Sequence, residues 1–133
     1  MRLLSLAVVA CLTASCGSTP ARPTPPIDAT LTVSLGEAAV VAPGSLIIRF
    51  DTVTEDSRCP TGACCVWAGR AGARLAVVAN ASEQSIQLLS DPRASRTATA
   101  GDVRVEWVEL EPYPSIGAPT QPGTYRLTVR VMR

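Results

Sequence analysis

From Ile27 onward the apolar residues of this chain recur at every second position, a period that suits half-buried strands and not amphipathic helices. Leu31, Val33 and Leu35 alternate with Thr30, Thr32 and Ser34, and Leu46, Ile48 and Phe50 alternate with Ile47, Arg49 and Asp51. Leu75, Val77 and Ala79 share one parity, and Ile86 and Leu88 share another. The last run is the cleanest, with Tyr125, Leu127, Val129 and Val131 on one side and Thr124, Arg126, Thr128 and Arg130 on the other. Turn-forming residues separate the runs: Pro43-Gly44, Pro60 with Gly62, Asn80, Asp91-Pro92, Gly101-Asp102 and Pro122-Gly123. Short strands at this spacing predict an all-β fold, a single antiparallel β-sandwich or barrel-like domain over residues 27–133, with no long helix. The carboxy-terminal run, apolar along a whole face, is expected to be a central strand.

One stretch breaks the alternation. Val103, Val105 and Trp107 are apolar at odd positions, then Val108 and Leu110 at even ones. Each step along a strand reverses the side-chain direction, so parity cannot change within regular geometry. A one-residue bulge near Trp107–Val108 restores a single buried face. The alternative leaves Trp107 on an exposed or interface face.

The amino-terminal segment is built differently. Met1-Arg2 is a short positive start, and Leu3 to Ala14 is an apolar run too short to span a bilayer as a helix. It ends in Leu12-Thr13-Ala14-Ser15-Cys16, which resembles the bacterial lipobox, with small residues before a cysteine that takes a diacylglyceryl group; Thr13 stands where Leu is usual. Cys11 follows a similar local sequence but would leave a much shorter apolar run. The resemblance implies a lipoprotein signal peptide over residues 1–15 and a lipid-bearing Cys16 in the mature chain. Two or three acyl chains hold a protein stably on a membrane where one does not. Gly17, in place of an aspartate, implies by resemblance to Gram-negative sorting the outer membrane, on its periplasmic side. Residues 16–26 then carry GSTPARPTPP, whose prolines favour an extended tether of roughly 30 Å at about 3 Å per residue.

The densest motif is Glu55-Asp56-Ser57-Arg58-Cys59-Pro60, followed by Cys64-Cys65-Val66-Trp67-Ala68-Gly69. It resembles a pattern found in small secreted or lipidated bacterial proteins, EDSRCP followed by a cysteine and W-x-G. The resemblance implies a β domain and an exported compartment, and supplies no activity. It also implies that Cys59 pairs with Cys65, since the second cysteine of the pattern lies at position 65 and Cys64 is the departure. By residue chemistry alone, Cys59–Cys64 stays open, while a vicinal Cys64–Cys65 bridge requires strained geometry. Any single pairing in this motif leaves one thiol over. Asp56, Arg58 and Trp67 are the candidate binding residues of a stapled loop, because arginine and tryptophan are over-represented in interface hot spots. The plainer alternative pairs Asp56 with Arg58 locally and puts Trp67 in the core.

Charge and composition narrow the function classes. The 12 basic residues are all arginine, and the chain contains no histidine. Removing residues 1–15 takes Arg2 with it and leaves arginines and acids in balance, with no basic run to suit nucleic acid or anionic lipid. Without histidine, Ser-His-Asp and Cys-His chemistry is excluded. Gly69-Arg70-Ala71-Gly72 lacks the glycines and the following helix of a phosphate-binding loop. The cysteine loop has neither the Cys-x-x-Cys spacing at a helix start of a thiol catalyst nor ligands for zinc. The expectation is a non-enzymatic protein without cofactor or metal, the alternative being a thiol-redox activity or one built on a pair of its 11 carboxylates. It would be a binding module for a protein or envelope component, inhibitor-like in one form, or alternatively a passive structural or assembly factor.

Overall fold

A computed structural model describes residues 25–133; the expected signal peptide, Cys16 and most of the expected tether lie outside the described residues. Eight strands make two four-stranded antiparallel sheets packed face to face, a β-sandwich. One sheet contains β1 (Asp28–Ser34), β8 (Arg126–Met132), β7 (Val103–Glu111) and β6 (Thr97–Ala100) in that order. The other runs β2 (Ala38–Ala42), β3 (Leu46–Asp56), β4 (Ala71–Ala79) and β5 (Ser82–Leu89).

The predicted parities are those of the structure. Leu46, Ile48 and Phe50 of β3 and Leu75 and Val77 of β4 are fully buried, and they face Leu127, Val129 and Val131 of β8 across one continuous core. β8 lies between β1 and β7, with partners on both edges. Its outward residues Arg126 and Arg130 stay in water, where they pair with Glu111 and Asp28. The parity break in β7 is a bulge: Trp107 opposes Val129 and Glu109 opposes Thr128, so Val108 has no partner on β8. Trp107 and Leu110 are both buried in consequence, and Val108 is turned outward.

Two strands go beyond the expected set, β2 and β6. Both are short and built from small residues, AAVVA and TATA, so neither presents a sharp apolar alternation. The β4–β5 hairpin closes through Asn80-Ala81, both with positive φ (50° and 64°), the conformation a two-residue hairpin of right-handed twist demands. Alanine in that region is strained in a way asparagine is not.

The sandwich has two distinct poles. At one, Ile27 and Arg133 exchange backbone hydrogen bonds at 3.1 and 2.9 Å, and the Asn80 amide donates to Ser45 O at 3.0 Å. Residues 27 and 133 thus lie side by side at this pole. At the other pole lie the β3–β4 connection carrying the cysteines, the β5–β6 connection and the β7–β8 connection. Strand β8, seven residues long, spans the distance between them, about 23 Å at roughly 3.3 Å per residue.

Candidate functional site: the cysteine loop and the groove beside it

The cysteine motif forms the tip of the β3–β4 hairpin. Beyond the end of β3 the two arms stay paired: Ser57 N donates to Arg70 O at 2.8 Å, and Cys59 N to Ala68 O at 2.9 Å. Gly69 explains the glycine of W-x-G. It has φ +66°, and a Cβ there would lie 1.7 Å from the Ser57 carbonyl oxygen, so no other residue fits without separating the arms. Within the tip, a disulfide joins Cys59 to Cys65, with Cα atoms 5.9 Å apart, and Cys64 is an exposed free thiol. The staple closes a six-residue separation, worth about 2 kcal/mol by chain entropy.

Asp56 and Arg58 form a second brace under the loop. Arg58 donates from Nε to Asp56 Oδ1 at 2.8 Å and from Nη2 to Asp56 Oδ2 at 2.7 Å, the two-pronged fit of guanidinium to carboxylate. Nη2 also donates to Pro112 O at 3.0 Å, and Nη1 donates to Leu110 O. The Tyr113 ring lies 4.8 Å from the Arg58 guanidinium carbon, within cation–π range. Tyr125, just before β8, donates its hydroxyl to Asp56 Oδ2 at 3.0 Å. Two side chains from the β3 end therefore bind the end of β7 and the start of β8, clamping one sheet to the other.

Burial governs the chemistry of this knot, since the side chains of Arg58 and Asp56 are only 7% and 11% exposed. Desolvation pushes the Asp56 carboxyl upward, but hydrogen bonds from Arg58 and Tyr125 and the arginine charge outweigh it, leaving the pKa below the ordinary value. Desolvation lowers the Arg58 pKa, and the Asp56 hydrogen bonds and charge more than reverse that. Burial and the bond to Asp56 raise the Tyr125 hydroxyl. The Asp56 carboxylate is thus held ionised by donors on both of its oxygens. Asp56 and Arg58 brace the loop from beneath, and Arg58 also borders the groove beside it.

Trp67 is placed differently from its two neighbours in the motif. It is 82% exposed and Val66 is 91% exposed, so Trp67 does not fill the core. The buried tryptophan is Trp107. Val66 and Trp67 overhang an open groove of about 1160 Å³ between the hairpin tip, the β5–β6 connection at residues 90–96, and the bulged part of β7. Val108 and Tyr113 continue its apolar rim; Arg93, Arg96, Asp91 and Glu109 supply its charges together with Arg58 and Arg70, which are salt-bridged to Asp56 and Glu55. Sequence reasoning named Trp67 but missed these other residues. They come from segments far apart in the chain, and only the exposed member of the 107–108 parity break hinted at one of them. Among the described residues no group of three or more Cys, Asp or Glu side chains is arranged to hold a metal ion. Comparison of the chain with family models, curated proteins and solved structures finds no match, so the site must be interpreted from its own geometry.

Proposed function

We propose that this chain is a lipid-anchored envelope protein whose sandwich displays a non-catalytic recognition surface at the pole opposite its tether. The observation that carries the reading is the exposure of Val66 and Trp67 on a doubly braced loop. Holding two large apolar side chains in water is unfavourable for an isolated domain, and a contiguous apolar rim on a rigid frame is what a binding surface requires. Rigidity adds to this, because a loop ordered in advance loses little entropy when a partner docks. The tether enters beside Ile27 and Arg133, so an extended segment ahead of it would hold the groove away from the bilayer and toward a soluble or neighbouring partner.

Two measurements on the full chain in its own membranes test the proposal. Mass spectrometry of the amino-terminal peptide should find acylated Cys16; unmodified Cys16, or acylation at Cys11, refutes the lipid anchor. Photo-crosslinking from position 108 should yield protein adducts that disappear in a Val66→Ser, Trp67→Ala variant with an unchanged urea midpoint. Adducts that persist undiminished in that variant refute the recognition surface.

A further inference from the structure

Resting on that reading, we infer that the groove takes a protein segment presenting an apolar side chain next to a single carboxylate, with Trp67 receiving the first and Arg93 and Arg96 the second. Three observations carry this. First, the main chain of the β7 wall has little to offer. The carbonyl of Trp107 accepts from Arg96 Nη2 at 3.1 Å, and those of Leu110 and Pro112 accept from Arg58. With these acceptors already engaged by arginines, recognition here rests mainly on side chains.

Second, most arginines of the described region are already paired. Arg49, Arg58, Arg70, Arg126, Arg130 and Arg133 each lie within 4.0 Å of an acid. Arg74, Arg93, Arg96 and Arg104 have no such partner among the described residues, and of these four only Arg93 and Arg96 line the groove. Guanidinium groups beside an apolar rim fit a carboxylate held next to an apolar side chain. Third, Asp91 and Glu109 share the groove, and its other two arginines, Arg58 and Arg70, are already neutralised by Asp56 and Glu55. Their negative charge opposes a polyanion such as nucleic acid or a phosphate-rich lipid surface, and leaves room for one localised carboxylate.

The test uses the full-length chain in neutral detergent micelles and a random dodecapeptide display library. Selected peptides should share an Asp or Glu within a few residues of Phe, Leu or Trp. Synthetic versions should quench tryptophan emission, and replacing their acid by its amide should weaken binding about tenfold. Trp67→Ala should cost about 25-fold or more, as a hot-spot side chain does. Arg93→Glu should weaken the acidic peptide and favour its lysine counterpart, whereas Arg104→Glu, also free of an acid partner but outside the groove, should change nothing. Selected peptides with no acidic bias, or a response of Arg104→Glu equal to that of Arg93→Glu, overturn the carboxylate inference while leaving the recognition surface standing. Peptides indifferent to Trp67→Ala overturn both. Binding of anionic vesicles or of envelope polysaccharide in place of peptide, or self-association through Trp67, also overturns the assignment of the occupant.

Discussion

Replacing Arg58 by alanine should be one of the most damaging single changes away from the apolar core, and the reason is burial. Two bidentate arginine–carboxylate pairs in this protein have nearly the same geometry. Arg130 binds Asp28 at 2.8 and 2.6 Å, and Arg58 binds Asp56 at 2.8 and 2.7 Å. The first stands in water, with side chains 46% and 57% exposed, so removing one partner returns the other to solvent. The second is nearly closed off, at 7% and 11%. Arg58→Ala leaves the Asp56 carboxylate with only the Tyr125 hydroxyl and a long bond, 3.4 Å, from the residue-58 amide, and also strips Leu110 and Pro112 carbonyls of a donor. Breaking a buried pair in this way costs about 3–5 kcal/mol, against a whole-domain stability of roughly 5–15 kcal/mol. Asp56→Asn should be costly too, since it leaves Arg58 charged and poorly matched. The double variant should cost less than the two singles combined, because each single already breaks the same contact. Urea unfolding monitored by tryptophan fluorescence measures all of these from the midpoint at constant slope. Asp28→Asn should leave the midpoint unmoved. If Arg58→Ala behaves like Asp28→Asn, or if the double variant is fully additive, the clamp between the sheets is not an energetic unit and the argument is wrong.

Further outcomes follow from the same structure. Leu127→Ala should cost about 2–5 kcal/mol while Arg126→Ala stays near wild type, and equal shifts in urea melts would contradict the observed burial of β8. Cys64→Ser should leave stability and the Cys59–Cys65 link intact, whereas Cys59→Ser or Cys65→Ser should lose about 2 kcal/mol and expose an extra alkylatable thiol in non-reducing peptide maps. Stability should also fall at both extremes of pH because of the knot. Asp56 titrates below its unfolded value, so its contribution is present above about pH 4 and is lost as pH falls through the folded pKa. Tyr125 titrates above its unfolded value, so its contribution is present below about pH 10 and lost as pH rises through the folded pKa. Asp56→Asn should flatten the acid arm and Tyr125→Phe the alkaline arm of a pH series of melts; an unchanged profile in either variant contradicts the assignment.

The strands that carry the core were legible in the sequence because their contrast is high. In β8 and in the first half of β3, every inward position is large and apolar and most outward positions are polar, so parity alone tells which face is buried. The β7 bulge was legible for the same reason, since a strict period makes its own violation visible. Strands β2 and β6 were not, because alanine and threonine suit either face and the pairing that makes them strands comes from distant neighbours. The cysteine loop divided along the same line. The Asp56–Arg58 pairing is two residues long and could be anticipated locally. Trp67 could not be placed, since its exposure depends on the arms of the hairpin and on a groove whose other walls are about 25 and 40 residues away. Hydrophobicity signalled core at Trp67 and Trp107 alike, and only the second is buried.

The bulge in β7 has an evolutionary consequence. With Val108 removed, Trp107, Glu109 and Leu110 would follow each other in unbroken alternation, inward, outward, inward, and the pairing of Glu109 and Leu110 with Thr128 and Leu127 would be kept. Val108 is therefore a supernumerary residue, one the packed interior does not count, and it projects onto the groove. Changes at that position alter what the groove presents without passing through the core, so the ligand preference of such a domain can drift under selection while its architecture stays put.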